Sequence, residues 1–226
     1  MRDKIEFIVL ILVILGLLTL NRNIWRTTAS NQATEGNYTV VLDAGHGGED
    51  PGKVGINGAK EKDINLAIAK KVKKYLEEQK ITVYMTREED CMLAETGSTN
   101  KKVEDMKARV EKINDSQANL AVSIHQNSYQ EEGVKGAQVF YYSHSQEGQK
   151  DAITMQNALL ELDVSNTRKA KENDTYYILK RTEIPTIIVE CGFLSNQEEA
   201  DLLVTEAYQE DVAKSIVKGI ITCFED

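Results

Sequence analysis

The chain carries three histidines, and two of them follow short apolar runs. His46 lies in Asp43-Ala44-Gly45-His46-Gly47-Gly48, and His125 in Ser123-Ile124-His125-Gln126-Asn127. A carboxylate, Glu190, directly follows Thr186-Ile187-Ile188-Val189. Burying a charged carboxylate is costly unless it is paired or bound to a metal. Two strand-end histidines and a stranded glutamate therefore point to a site rather than to core packing. Two imidazoles with a carboxylate form a ligand set for catalytic zinc, which keeps three protein ligands and an open position for water. The chemistry that set supports is hydrolysis, with a second carboxylate nearby as general base. Asp43, Glu49, Asp50, Glu61 and Glu190 are the candidates, and spacing alone does not divide them into ligand and base. Glu61 opens an amphipathic helix behind a loop rich in glycine (Gly52, Gly55, Gly58), where a first-turn acid complementing the helix dipole is an equal alternative. His144, in a polar Ser-His-Ser loop, reads as surface.

The elements that must position these residues alternate along the chain. Short β-branched and aromatic runs at Tyr38–Asp43, Ile81–Thr86, Leu120–His125, Ala137–Tyr142 and Thr186–Glu190 read as strands. Several are nearly continuously apolar, as strands covered on both faces are. Between them lie helical periods. Ile64, Ile68, Val72, Tyr75 and Leu76 share one face, and Val103, Met106, Val110 and Ile113 share another. Ala152–Leu162 reads as a helix, and Val212, Ala213, Ile216, Val217 and Ile220 mark a closing one. This alternation predicts a single three-layer α/β domain, a mostly parallel or mixed sheet with helices on both faces. In such sheets the carboxyl ends of the strands form the ligand crevice.

Composition removes other classes. At 226 residues and 41% hydrophobic, the chain suits one domain with a sizeable core. The net charge of −9 speaks against a nucleic-acid-binding protein, which gathers Lys and Arg. Cys91, Cys191 and Cys223 are too few and too scattered for a disulfide framework or a thiolate zinc site. Phe7–Leu20 is an uncharged apolar run behind Arg2 and Lys4, and residues 1–30 read as a signal peptide or an uncleaved signal anchor. Residues 31–37 read as a polar linker and 38–226 as the catalytic domain. Without residues 1–30, four basic and two acidic residues are lost and the net charge becomes −11, so contact with a membrane runs only through the N-terminal segment.

The motifs Leu42–Gly48 (LDAGHGG), Glu61–Leu66 (EKDINL), Thr86–Asp90 (TREED), Ala108–Asn114 (ARVEKIN), Ser123–Asn127 (SIHQN) and Pro185–Leu203, in this order and spacing, resemble the zinc-dependent N-acetylmuramoyl-L-alanine amidases of the type-3 family. The resemblance implies that His46, Glu61 and His125 hold one zinc ion and that Glu190 is the catalytic glutamate. It implies peptidoglycan as substrate, cut at the amide between the lactyl group of N-acetylmuramic acid and L-alanine. The short signal-led form is most similar to family members of spore-cortex maturation, where such cutting precedes muramic-δ-lactam formation and hence germination. That implies an exported enzyme at the outer face of the membrane or secreted, in the forespore intermembrane or cortex space. It also leaves room for an activating or localising protein partner in the same compartment. Asp43 is expected to hold the second ring nitrogen of a zinc histidine. Asn127 is expected to bind substrate or a ligand, or else to serve as a turn residue. Arg87 and Arg109 match family positions and could equally form a structural ion pair. Two other readings share these residues: an inactive peptidoglycan-binding protein, and a zinc peptidase cutting within the stem peptide.

Overall fold

The computed structural model describes residues 38–225 apart from 96 and 98; the N-terminal segment 1–30 and the linker 31–37 lie outside the described residues. The strands are β1 Thr39–Ala44, β2 Thr82–Met85, β3 Leu120–Asn127, β4 Gln138–Tyr141, β5 Lys171–Glu172 and β6 Thr186–Phe193. The helices are α1 Glu61–Glu78, α2 Lys101–Asp115, α3 Gln146–Leu162, α4 Tyr177–Arg181, α5 Gln197–Leu203 and α6 Glu206–Glu225. The strands form one sheet in the order β2-β1-β3-β6-β4-β5. Its pairs β1/β2, β1/β3, β3/β6 and β4/β5 are parallel, while β4 runs antiparallel to β6.

The continuous apolar runs are explained by cover on both faces. Val40, Leu42, Ala44, Leu120, Val122 and Ile124 point to the layer of α1, α3 and α6, and all are fully buried. Val41, Ala121 and Ile188 point the other way, against Val110 and Ile113 of α2 and Ile178 and Leu179 of α4. This is the three-layer sandwich expected from the alternation of elements. In α2 the apolar face is narrower than its periodicity suggests, since Val103 is exposed.

Two departures from the sequence reading bear on the site. First, β3 and β6 continue past His125 and Glu190 to Asn127 and Phe193, so both residues lie inside strands rather than at their ends. The chain continues because Leu194 N–H donates to the Asn127 carbonyl, extending the ladder beyond an irregularity between His125 and Asn127. Second, β5, α4 and α5 carry no periodic signal long enough to be read. They have two, five and seven residues, below the length at which a helical or strand period shows.

Helix α1 starts at Glu61 without a side-chain cap. Its free N–H groups are taken instead by backbone: Glu61 N–H donates to Lys53 O and Lys62 N–H to Pro51 O. The glycine-rich loop is thereby fixed against the helix start. Leu42, fully buried in β1 between β2 and β3, anchors the strand that leads into that region. Leu42→Ala is expected to cost about 2–5 kcal/mol, read as a lower denaturant midpoint at unchanged slope; a shift under 1 kcal/mol would show that this core relaxes around the gap.

Candidate active site

Parallel register puts two of the functional side chains next to each other. His125 of β3 is the Cα partner of Glu190 of β6, so their side chains leave the sheet on the same face, side by side. Glu61 arrives from the start of α1, and His46 from the loop after β1. His46 has φ 62°, followed by Gly47 at 141° and Gly48 at 54°. This left-handed stretch folds the loop tightly enough for Gly47 and Asp50 to exchange two backbone hydrogen bonds of 3.0 Å.

Glu61 is 2% exposed and lies at the centre. Its Oε1 stands 2.8 Å from His125 Nδ1 and 3.2 Å from His46 Nε2, and accepts the Gln126 N–H at 3.1 Å. Its Oε2 accepts the Lys53 N–H at 2.7 Å. Burial pushes the Glu61 carboxyl up, but the hydrogen bonds and charges of His125 and His46 outweigh it and hold the group far below the usual range. The His46 and His125 rings meet edge to face at 5.0 Å. One donor atom from each of His46, Glu61 and His125 fits within a span of 4.8 Å. Ligands on a tetrahedral ion with bonds of 2.0–2.1 Å stand about 3.3 Å apart, and the two rings stand at 2.8 and 3.2 Å from the Glu61 oxygen. The donor set and its spacing fit a divalent metal, and zinc among them.

Glu190 behaves in the opposite way. It is 7% exposed, and its Oε2 is buried with no hydrogen-bond partner among the described residues. Burial and the negative charge of Glu61 raise its carboxyl to about 7, against the pull of His125, His46 and Lys53. A group of that kind exchanges protons near neutrality, as a general base and acid must. Both carboxylates line one cavity of about 450 Å³, together with both histidines, Lys53, Asn127 and Tyr176.

The remaining expectations divide. Asp43 does not hold the ring of His46 or His125. It is 1% exposed in β1 and accepts from Thr86 and Arg109 at 2.6 Å and from Ser123 at 2.5 Å. Burial raises its carboxyl, and Arg109 with the two hydroxyls brings it down to about 2. The partner of His46 Nδ1 is Asp50, at 2.8 Å, which the tight loop returns to the ring from four residues on. Asp43 fails in this role because its carboxylate is already saturated in the sheet. Arg109 forms the expected ion pair, with Asp43 and also with Asp105, and donates to the carbonyls of Ala44 and His46. Arg87 forms no ion pair among the described residues: it donates to the carbonyls of Ala44, Gly45, Lys62 and Glu89. Both arginines thus hold the backbone that carries His46. Asn127 Oδ1 accepts from Ser128 N–H, the turn role, while its side chain lines the cavity. Glu49 is paired with Lys101 at the surface, and His144 is exposed. Cys191 is buried and its thiol is pushed up by that burial, so it stays protonated.

The sequence reading missed three neighbours of the site. Asn65, one turn after Glu61, donates to Gly45 O and Glu61 Oε1 and accepts from Gln126; the i, i+4 spacing was the available signal. Tyr176 packs edge to face on Phe140 and lines the cavity, and burial with the charges of Glu190 and Glu61 pushes its phenol up to about 12. Lys53 lines the same cavity. Neither of these two sits in a periodic segment that would mark it.

A three-layer α/β enzyme with a histidine–carboxylate donor set beside a near-neutral buried carboxyl defines a hydrolase class. Comparison with known proteins makes it specific. A profile of the N-acetylmuramoyl-L-alanine amidase family, type 3, matches residues 40–222. The germination-specific N-acetylmuramoyl-L-alanine amidase of Bacillus subtilis is 43% identical over 190 residues, covering 83% of this chain and 80% of that protein. Among solved structures, the CwlD amidase from Clostridioides difficile, in complex with the GerS lipoprotein, matches at TM-score 0.81 and 40% identity, over 84% of this chain and 99% of that one. The catalytic domain of CwlV, an N-acetylmuramoyl-L-alanine amidase from Bacillus (Paenibacillus) polymyxa, matches at TM-score 0.73 and 31% identity, over 83% and 98%. The chain belongs to the N-acetylmuramoyl-L-alanine amidase family. It is a peptidoglycan amidase, which sets aside the inactive binding-protein reading.

Two predictions follow from this geometry. A Cβ at Gly45 would lie 2.2 Å from His125 Cε1. Gly45→Ala is expected to displace that ring and weaken zinc or cobalt affinity by about 10–100-fold in a chelator competition; unchanged affinity would mean the ring is not a ligand. The second concerns pH. In the metal-free protein the Glu190 carboxyl binds its proton more tightly folded (about 7) than unfolded (4.5). Folding stability from this group is therefore present below about pH 4.5 and falls as pH rises to about 7. Relative to Glu190→Gln, the metal-free wild type should lose on the order of 3 kcal/mol across that window. Parallel stability curves for the two proteins would show that Glu190 is not held in the buried, unpaired state.

Proposed function

We propose that this amidase is a zinc enzyme of spore-cortex maturation that cuts the amide between the lactyl group of N-acetylmuramic acid and the L-alanine of the stem peptide. The observation that carries the reading is the shared cavity of a metal donor set and a carboxyl raised to about 7. His46, Glu61 and His125 would hold the ion. Bound there, zinc supplies the Lewis acidity that activates water and polarises a carbonyl.

The chain's own residues do the rest. Asp50 fixes the His46 ring through Nδ1 and so presents Nε2 to the centre. Arg87, Arg109 and Asn65 hold the Ala44, Gly45 and His46 carbonyls in place. From the cavity that it lines, the Glu190 carboxylate takes the proton of the attacking water and returns it to the departing alanine nitrogen. Tyr176 and Ile188 form part of the cavity wall and lower the polarity around the reacting atoms, so that charge there is worth more than in bulk water.

The cortex role rests on the 43% identity to the germination-specific enzyme of Bacillus subtilis. The Clostridioides difficile neighbour was solved with a lipoprotein, which supports an activating or localising protein partner for this chain as well. Export through residues 1–30, as signal peptide or anchor, would place residues 38–226 at the outer face of the membrane or in the forespore intermembrane or cortex space. Among the described residues no helix is long and apolar enough to cross a membrane.

Incubation of the zinc-loaded protein with cortex peptidoglycan should release stem peptides that begin with a free L-alanine amine, identified by mass spectrometry. Glu190→Gln should retain zinc and lose at least ~10²-fold in rate, whereas His46→Ala, Glu61→Ala and His125→Ala should lose the metal. Fragments cut inside the stem peptide would instead establish the peptidase reading. Near-normal turnover in Glu190→Gln would remove that residue as base.

A further inference from the structure

The cations around the site are almost all committed. Lys62 is tied to Asp90, Lys101 to Glu49, Lys102 to Asp50, and Lys112 to the Thr86 carbonyl. Arg87 and Arg109 are buried against carbonyls and carboxylates. Lys53 differs from all of them. Its backbone is pinned to the site by the 2.7 Å bond from its N–H to Glu61 Oε2. Its side chain is exposed, lines the cavity, and has no hydrogen-bond or ion-pair partner among the described residues. Its charge is felt by Glu190.

The conformation that sets Lys53 there is specific. Gly52 has φ +67°, and a Cβ on it would lie 2.5 Å from Glu61 Oε2 and 2.7 Å from His46 Cδ2. The loop can therefore pass this close to the donor set only with glycine at that position, and it delivers the next side chain, Lys53, to the cavity rim. In a chain of net charge −9, an uncommitted ammonium beside a base that must lose its proton is a feature that calls for an anionic partner.

We infer that Lys53 is a specificity-determining residue that binds the free carboxylate of the acidic residue following L-alanine in the stem peptide. The inference rests on the amidase reading above and names what that site recognises beyond the scissile bond. On the sugar side of the amide the neighbouring groups are neutral hydroxyls and an acetamide. On the peptide side the first anion is the α-carboxylate of the second residue, a glutamate joined onward through its side chain. Two residues of extended chain span roughly 7 Å, a separation that the four-carbon stem of a lysine at the rim can bridge. The contact is a charge-assisted hydrogen bond at a half-open rim, made equally in ground and transition states, so it acts on KM more than on kcat.

The test compares two peptidoglycan preparations that differ only in this group, with the second residue carrying either the free α-carboxylate or its carboxamide. The zinc-loaded protein is assayed on both, beside Lys53→Met and Lys53→Glu, with zinc content and unfolding midpoint measured for each. The ratio of kcat/KM for carboxylate over carboxamide is expected to be roughly tenfold in the wild type, the worth of one hydrogen bond to a charged group. It should fall to about one in Lys53→Met and below one in Lys53→Glu, through KM. An unchanged ratio in Lys53→Met, or an equal loss on both substrates, overturns the inference and leaves Lys53 acting only through the charge of Glu190. Failure of the zinc-loaded wild type to release either peptide would sink the amidase reading itself, and the role of Lys53 with it.

Discussion

A carboxylate with 2% of its surface exposed stays charged only if the chain surrounds it with donors, and Glu61 is held in this way. The donors come from parts of the sequence far apart: the Lys53 N–H from the glycine-rich loop, the Gln126 N–H from β3, and Asn65 from the next turn of α1. The imidazoles of His46 and His125 stand at 3.2 and 2.8 Å from the same carboxylate. Each of these contacts fixes an element as well as a charge. The loop must return to the helix start, β3 must run far enough to present Gln126, and the β1 loop must turn through left-handed backbone to bring His46 back. The position of Glu61 therefore decides the geometry of the whole crevice.

A second buried ionic group holds the layer beneath. Asp43, Arg109 and Asp105 are all nearly inaccessible, and Arg109 also reaches the carbonyls of Ala44 and His46. Such a cluster adds little net stability compared with apolar packing, yet breaking one partner costs about 3–5 kcal/mol because a buried charge is left alone. What it provides here is position. The guanidinium ties α2 to the end of β1 at the point where the chain leaves the sheet for His46. Arg87 does the same from the end of β2, through carbonyls alone.

The sheet was legible in the sequence because burial on both faces writes itself as continuous apolar runs: the runs at Tyr38–Asp43, Ile81–Thr86, Leu120–His125, Ala137–Tyr142 and Thr186–Glu190 form the strands Thr39–Ala44, Thr82–Met85, Leu120–Asn127, Gln138–Tyr141 and Thr186–Phe193. The convergence of His46, Glu61, His125 and Glu190 was legible from their motifs. The exchange of roles between Asp43 and Asp50 was not. Both are acids within four residues of His46, and only the left-handed turn at His46–Gly48 decides which reaches the ring. Tyr176 and Lys53 were invisible for a different reason. They lie in a loop and beside a five-residue helix, where no periodicity distinguishes a cavity wall from a solvated surface.

The two carboxylates of the cavity are separated by environment rather than by residue type. Glu61 is surrounded by N–H groups and imidazoles and is driven to the charged form. Glu190, one strand over and in register with His125, is buried with one oxygen unpaired, and is driven toward the neutral form until about pH 7. A charged donor for a cation and a proton carrier near neutrality are the two things that hydrolysis of an amide at a metal requires, and one glutamate cannot be both. The parallel pairing of β3 with β6 resolves this. It sets Glu190 close enough to share the crevice with Glu61, while the Lys53 and Gln126 N–H groups that keep Glu61 charged are spent on Glu61 and leave Glu190 Oε2 without a partner.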